Sequence, residues 1–350
     1  MELEMIRKQI DAIDTKIRKL FNDRMEQALL AGKCKTKVED RQREAEIFEK
    51  LGNNPYTLLD GDFLTELYEK ILAKSKEWQS RSPLLIAFQG EHGAYSEVAA
   101  RSWNPKCVSL PCKEFSDVFE GVKKGVYDFG IVPVENNLGG IVSQVNDLMI
   151  HTELYVVGAI EIPVKHCLVA CPQTDYREIR EVYSHAQALA QCRNFLSRNH
   201  LLPVPFYDTA GAAKMLSEKG ATNAAAISSE LAAQLYGLQV IKESIEDFAS
   251  NRTRFLVLSN QQNPEPGSKC SAVFSTEHKS GTLFAVLQQY AQAGLNLTRI
   301  ESIPNQKGSY AFFLDFLGSI EDPAVQNVVE ISKQITTGFR VLGCYEEKVL

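Results

Sequence analysis

From Leu3 the apolar residues Ile6, Ile10, Ile13, Ile17 and Leu20 recur in alternating steps of three and four, the spacing of one buried helical stripe. The next position on that stripe is Arg24. Arg7 lies beside the stripe, Lys35 continues its line beyond Arg24, and Asp40, Arg43 and Glu44 open a second helical pattern. A helix that turns cations into its own interface requires anions there. For Arg24 alone, a coiled coil with one polar residue fixing its register accounts for the pattern. Distance argues for more. On a continuous helix Arg7 and Arg24 stand about 25 Å apart, and Arg7 and Lys35 about 42 Å, at roughly 1.5 Å per residue. No metabolite spans that length. Arg24 and Lys35, about 16 Å apart along the axis, can lean toward one small dianion. Arg7 joins them only from a second, antiparallel copy of the chain, so the segment predicts a dimer with a shared site. In a third helical pattern Asp60 and Asp62 supply N-cap chemistry, and the stripe Leu64, Leu67, Tyr68, Ile71 and Leu72 gives way to Ser75 and Gln79 on the Ile71 line. Alone, those two polar positions describe a frayed helix end equally well.

At 350 residues the chain has room for two or three domains. Its net charge of −6 argues against nucleic acid as a main partner. The absence of a cationic-then-apolar leader and of a bilayer-length apolar run predicts a cytoplasmic protein without membrane association. The eight cysteines form no CxxC pair, which fits reduced thiols, and the six histidines are dispersed, so neither a metal nor a cofactor is expected. Two Pro-, Gly- and Ser-containing joints, at 79–83 and 261–269, divide the sequence into a helical part (1–80), an α/β part (84–260) and a C-terminal part (270–350).

In the α/β part, strand-like runs alternate with helical ones, and ligands are expected at strand ends. Four loops carry polar or glycine residues: Gln89-Gly90-Glu91-His92-Gly93-Ala94-Tyr95-Ser96, Glu135-Asn136-Asn137-Leu138-Gly139-Gly140, Tyr183-Ser184-His185-Ala186-Gln187, and Asn251-Arg252-Thr253-Arg254-Phe255. The first offers backbone N–H groups to an anion but is neither GxGxxG nor a P-loop. Each residue has a plain structural reading: Asn136 as a turn residue, Ser184 as a helix cap, Arg254 as a solvated charge, His185 as a support for its own loop. The C-terminal part reads β-α-β-β-α-β, with helices at 282–292 and 323–335 and strands at 272–275, 297–301, 309–316 and 339–344, a ferredoxin-like order.

The ordered set Arg7, Arg24, Lys35, Asp40, Arg43, Glu44, Ser75 and Gln79, together with the middle-part loops and above all Thr-Arg-Phe, resembles the bifunctional chorismate mutase/prephenate dehydratases along the whole chain. The resemblance implies a multidomain protein: an all-α mutase domain, a two-lobed α/β dehydratase domain and an α+β ACT-type regulatory domain. It implies chorismate and prephenate as substrates. In the mutase, Lys35 and Gln79 would address the breaking ether oxygen. Arg24 and the partner subunit's Arg7 would clamp carboxylates, Arg43 would orient acidic neighbours, Glu44 would hold the ring hydroxyl, and Asp40 and Ser75 would support positioning. In the dehydratase, Thr253 would assist the departing hydroxyl, with Asn136, Ser184 and Gln191 lining the pocket and Arg254 near a carboxylate. Ala186 departs from the family's usual proline.

Two C-terminal segments, Gly281-Thr282-Leu283 and Glu301-Ser302-Ile303-Pro304, resemble the family's phenylalanine-binding motifs, with Thr282 replacing the usual alanine and Ile303 the usual arginine. Phenylalanine is therefore the expected effector, and a homodimer or higher homo-oligomer the expected assembly. The competing reading is a non-catalytic or mutase-dead metabolite-binding protein. The complete cation and acid–base sets in both catalytic parts oppose it.

Overall fold

The computed structural model describes residues 3–52, 58–172, 174–304 and 310–350. The chain divides into two compact units, Met1–Leu84 and Leu85–Leu350. The first holds α1 (Leu3–Lys33), α2 (Arg41–Gly52) and α3 (Gly61–Arg81). α3 starts where its cap predicts, with the Asp60 carboxylate accepting the Phe63 N–H at 2.7 Å. α1 ends two residues short of Lys35, which sits on the following turn with its N–H bonded to the Gly32 carbonyl. The expectation that Lys35 continues the helical line is corrected accordingly. The apolar stripe of α1 is exposed from end to end, from Leu3 at 62% to Leu20 at 64%. Among the described residues of this unit, only Leu29 and Ile71 are buried apolar side chains.

The second unit begins with β1 (Leu85–Gln89), α4 (Tyr95–Trp103), β2 (Val108–Cys112), α5 (Phe115–Lys123), β3 (Phe129–Asn136), β4 (Gly140–Ile141), α6 (Ser143–His151) and β5 (Tyr155–Pro163). A second lobe follows: β6 (Cys167–Ala170), β7 (Glu181–Ser184), α7 (Ala186–Gln191), α8 (Arg193–Arg198), β8 (Leu202–Pro205), α9 (Thr209–Lys219), β9 (Ala224–Ser228), α10 (Glu230–Tyr236) and β10 (Gln239–Lys242). The chain then returns through β11 (Arg252–Ser259) and enters β12 (Lys269–Thr276), α11 (Thr282–Gln292), β13 (Leu297–Pro304), β14 (Tyr310–Leu317), α12 (Pro323–Ile335), β15 (Thr337–Tyr345) and β16 (Glu347–Val349).

Three sheets result, ordered β16-β5-β11-β3-β1-β2 with β4 on β3, β10-β6-β9-β7-β8, and β13-β14-β12-β15. The first two are the lobes, joined by crossings at 164–166 and 243–251. The third is the ferredoxin-like part. It shares a core with the first lobe, where Val273, Phe313, Leu342 and Tyr345 pack with Val132, Val156 and Leu256.

Three expectations are revised here. Cys270 and Cys344, cross-strand partners on β12 and β15, form a disulfide rather than two reduced thiols. Glu301, Ser302 and Ile303 lie inside β13 rather than after it, because the strand continues to Pro304. Ser309, expected to open the next strand, falls outside the described residues. Among the described residues, no helix is long and apolar enough to cross a membrane.

Candidate functional site

A cavity of about 420 Å³ lies between the two lobes. Its wall is assembled from the four loops singled out in the sequence, from Phe115, Pro133, Ile141 and Val142, and from one further loop. Gln89, Ala94, Tyr95 and Ser96 come from the first, Asn136, Gly139 and Gly140 from the second, His185 and Gln187 from the third, and Thr253 and Phe255 from the fourth. Tyr207, Asp208 and Thr209 close it.

The first loop is held by Glu97, whose side chain is fully buried. Its carboxylate accepts the Gly93 N–H at 2.6 Å and the Ser109 hydroxyl at 2.9 Å, and pairs with Arg101 at 2.7 Å and the His92 ring at 3.2 Å. Burial pushes its pKa up. The His92 ring, the Gly93 N–H and Arg101 together outweigh burial and bring it down to about 2. Gly93 has a positive φ of 87°, and a Cβ there would meet the Ala232 backbone at 2.5 Å. The loop passes α10 only because it lacks a side chain. α4 then begins with no side-chain cap, and although the Glu97 N–H is taken by the Ala94 carbonyl, the N–H groups of Tyr95 and Ser96 are available at the cavity wall.

At the end of β3 the Asn136 side-chain oxygen Oδ1 accepts the N–H groups of Leu138 and Gly139, at 3.1 and 2.6 Å. Its amide nitrogen therefore faces Thr253, 2.9 Å from the hydroxyl oxygen. The Thr253 oxygen is an acceptor in that bond, so its own proton is free to point into the cavity. His185 lines the wall and its ring nitrogen accepts the Gln187 N–H at 3.3 Å, supporting its loop.

Ser184, Gln191 and Arg254 stand elsewhere than expected. Ser184 is fully buried and donates to the Ile227 carbonyl at 2.8 Å, tying β7 to β9. The Gln191 amide is occupied by His166 and Asn251 behind the wall. Arg254, only 4% exposed, pairs with Asp315 at 2.5 Å, with Glu347 and with the Tyr345 hydroxyl. None of the three lines the cavity, and no lysine or arginine is among its lining residues.

The segment missed in the sequence, Tyr207-Asp208-Thr209, had a readable signal. Asp208 precedes a helical run and caps α9 by accepting the Gly211 N–H at 2.7 Å. Burial raises its pKa, and the charge of Glu91 adds to the shift against the helix N–H groups.

In the helical unit Arg24 donates to the Ser75 hydroxyl at 2.8 Å across α1 and α3. Further along the same pair of helices, the Gln79 side chain packs over Gly32, with its amide oxygen buried and unbonded among the described residues. Lys35 and Asp40 approach to 3.8 Å on the turn between α1 and α2, and Arg43 bonds Asp40 through its N–H and Glu46 through its guanidinium. Glu44 pairs with Lys76 at 3.2 Å, a lysine the sequence reading did not use. Arg7 lies 17 residues before Arg24, about 25 Å along the axis.

A second cavity of about 200 Å³ in the ferredoxin-like part is lined by Gly281, Thr282, Leu283 and Phe284 with 276–279, Tyr310 and Phe312. Thr282 donates to the carbonyls of Glu277 and Lys279, closing that loop. Glu301 and Ser302 do not line this cavity, and Pro304 ends β13.

A two-lobed α/β cleft walled by helix starts and a threonine hydroxyl, carried on one chain with a helical cation-bearing unit, defines a multidomain enzyme acting on small anionic metabolites. Residues 6–80 match the model of chorismate mutase type II, and residues 86–263 that of prephenate dehydratase. A bifunctional chorismate mutase/prephenate dehydratase of Stutzerimonas stutzeri is 33% identical over 100% of this chain and 99% of its own. Arogenate dehydratase/prephenate dehydratase 2 of Arabidopsis thaliana is 39% identical over 75% of this chain and 73% of its own. Among solved structures, prephenate dehydratase of Arthrobacter aurescens in complex with L-Phe is 30% identical with a TM-score of 0.70, over 75% of this chain and 89% of that one. GqqA, described as a novel type of quorum quenching acylase, is 32% identical with a TM-score of 0.71, over 75% and 98%. The chain belongs to the bifunctional chorismate mutase/prephenate dehydratase family. It rearranges chorismate to prephenate, and then decarboxylates and dehydrates prephenate to phenylpyruvate on the way to phenylalanine.

Proposed function

We propose that the interlobe cavity is the dehydratase site and that Thr253 donates its hydroxyl proton in a hydrogen bond to the departing ring hydroxyl of prephenate. The observation that carries this reading is the Asn136–Thr253 bond, which occupies the threonine oxygen as acceptor and leaves its proton for the cavity. Since the lining holds no cationic side chain, the uncapped start of α4 takes over the carboxylate-binding work expected of Arg254. A threonine hydroxyl is a weak acid, so it orients and polarises the leaving group rather than supplying the proton outright. Thr253→Val should abolish phenylpyruvate formation while chorismate is still converted to prephenate, which then accumulates. Full dehydratase turnover by that variant would overturn the assignment.

The mutase site on this reading is shared between two chains. Arg24, Lys35 and Gln79 of one protomer lie around the α1–α3 pair, and the antiparallel α1 of a second copy brings its own Arg7. The rearrangement forms no covalent intermediate, so the site works by holding the folded dianion and stabilising charge on the ether oxygen. On this reading Lys35 and the Gln79 amide N–H are the donors in that role, and the Gln79 amide oxygen, which has no partner among the described residues, leaves that amide free to turn its nitrogen toward the ligand. Heterodimers of Arg7→Ala and Arg24→Ala chains should regain one intact mutase site. Phenylalanine is the proposed effector at the C-terminal part, supported by the loop around Gly281 and Thr282 and by the L-Phe complex of the Arthrobacter relative. Titrating it into the dehydratase assay should lower turnover.

A further inference from the structure

The two crossings between the lobes are bridged by one unbroken run of hydrogen bonds that ends on Thr253. Asn251, 1% exposed on the return crossing, accepts the Asn136 side-chain N–H at 2.8 Å and donates to the Gln191 side-chain oxygen Oε1 at 3.1 Å. That oxygen also faces Nε2 of His166, on the outgoing crossing, at 2.9 Å. Nδ1 of His166 lies 3.0 Å from the Tyr95 hydroxyl, and Tyr95 lines the cavity.

The directions of the bonds from Asn136 to His166 follow from one end. The Leu138 and Gly139 N–H groups fix which Asn136 atom is oxygen, so its nitrogen faces Asn251. The Asn251 atom toward Asn136 is then oxygen, and its nitrogen points at Gln191. Gln191 presents oxygen to both neighbours, so His166 carries its proton on Nε2, while the Tyr95 hydroxyl beside Nδ1 donates to the Lys165 carbonyl at 2.6 Å. Burial holds the His166 pKa down, which keeps the ring in that neutral form.

We propose that Asn251 is a positioning residue for the dehydratase step: as the one link that both accepts from Asn136 and donates to Gln191, it locks the Asn136 amide so that Thr253 presents its proton to substrate. The inference rests on the assignment of the cavity to the dehydratase reaction. Without Asn251 the Asn136 amide keeps the Leu138 and Gly139 N–H groups on its oxygen and the Arg252 carbonyl on its nitrogen, but it loses its buried side-chain acceptor, and the direction it imposes on Thr253 relaxes without Thr253 losing its place.

Asn251→Leu and Asn251→Asp test this in the full-length chain, with Thr253→Val alongside. Asn251→Leu should lower kcat for prephenate roughly 100-fold with KM nearly unchanged. Asn251→Asp should be rescued by acid. Protonated, the new carboxyl reproduces one acceptor and one donor; ionised, it sets an anion against the Gln191 oxygen, so kcat falls as pH rises. The ionisable groups around the position are Lys165 and His166 from one crossing, Glu246 and Asp247 from the other, and Arg252, which pairs with Glu161. Wild type and Asn251→Gln, measured over the same pH range, give the baseline for their titration.

Acid rescue of Asn251→Asp establishes the role even if Asn251→Leu does not fold. Wild-type kcat in Asn251→Leu, or a loss in Asn251→Asp that is the same at every pH, would overturn it. If Thr253→Val keeps full dehydratase activity, the cavity assignment fails instead of this inference.

Discussion

On β11, Thr253 and Phe255 line the cleft while Arg254 between them points the other way, because successive side chains on a strand leave on opposite faces. Arg254 lands among Asp315, Glu347 and Glu135, with Asp315 fully buried. Burial opposes its charge, yet Asp315 leads the groups that together raise its pKa above the ordinary guanidinium value. Arg254→Met would leave Asp315 as an unpaired charge in the interior and should cost about 3–5 kcal/mol in urea melts. Adding Asp315→Asn should restore most of that, since the amide still accepts from Ser271.

The period-2 argument was available in the sequence: two adjacent strand residues could not both face substrate. Ser184 and His185 were harder to separate, because the strand ends between them and alternation no longer applies.

Glu97 gives the pH-dependent case. Its folded pKa of about 2 lies below the ordinary 4.5, so its stabilising contribution is complete above about pH 4.5 and is lost as pH falls through 2. Glu97→Gln should therefore be less stable than wild type by about 3 kcal/mol near neutrality. The gap should close as both are titrated into acid, measured by urea unfolding at several pH values.

The helices were the most legible elements. α3, α11 and α12 begin and end within a residue or two of their sequence signals, because caps, proline and apolar period agree there. β16 gave no signal. Three residues on a sheet edge carry no period, and only their pairing with β5 makes them a strand.

α1 was legible as a helix, and its apolar stripe is the face of the proposed interface. Its six stripe residues remain exposed in one chain, and burying each such side chain contributes about 1.5–3 kcal/mol. A unit of 84 residues with two buried apolar side chains among its described residues has too little core there to offset chain entropy. In the proposed dimer a second α1 supplies that core. Ile13→Glu, at the middle of the stripe, should lower mutase turnover by about 100-fold or more, through loss of the partner's Arg7. Dehydratase turnover per chain should hold. Full mutase activity in Ile13→Glu would show that the stripe is not where the chains meet.

At the scale of the molecule, the joint at 261–269 is real in composition yet does not separate two bodies. Residue types reveal a linker, whereas the packing across it depends on surfaces that alternate along distant strands. β15 approaches β5 so closely that a Cβ on Gly343 would meet the Val156 carbonyl oxygen at 2.0 Å. Arg299 of β13 reaches Asn146 of α6 at 3.0 Å, and β16 adds itself to the first lobe's sheet. A body joined by a common apolar core and buried ion pairs should open as a whole. Hydrogen exchange in rising urea should therefore give the protected amides of β3 and β11 the same opening free energy and the same urea slope as those of β12 and β14. Were β12 and β14 to exchange through a smaller, separate opening, the C-terminal part would be an independently folding domain, and the shared core would contribute little to cooperativity.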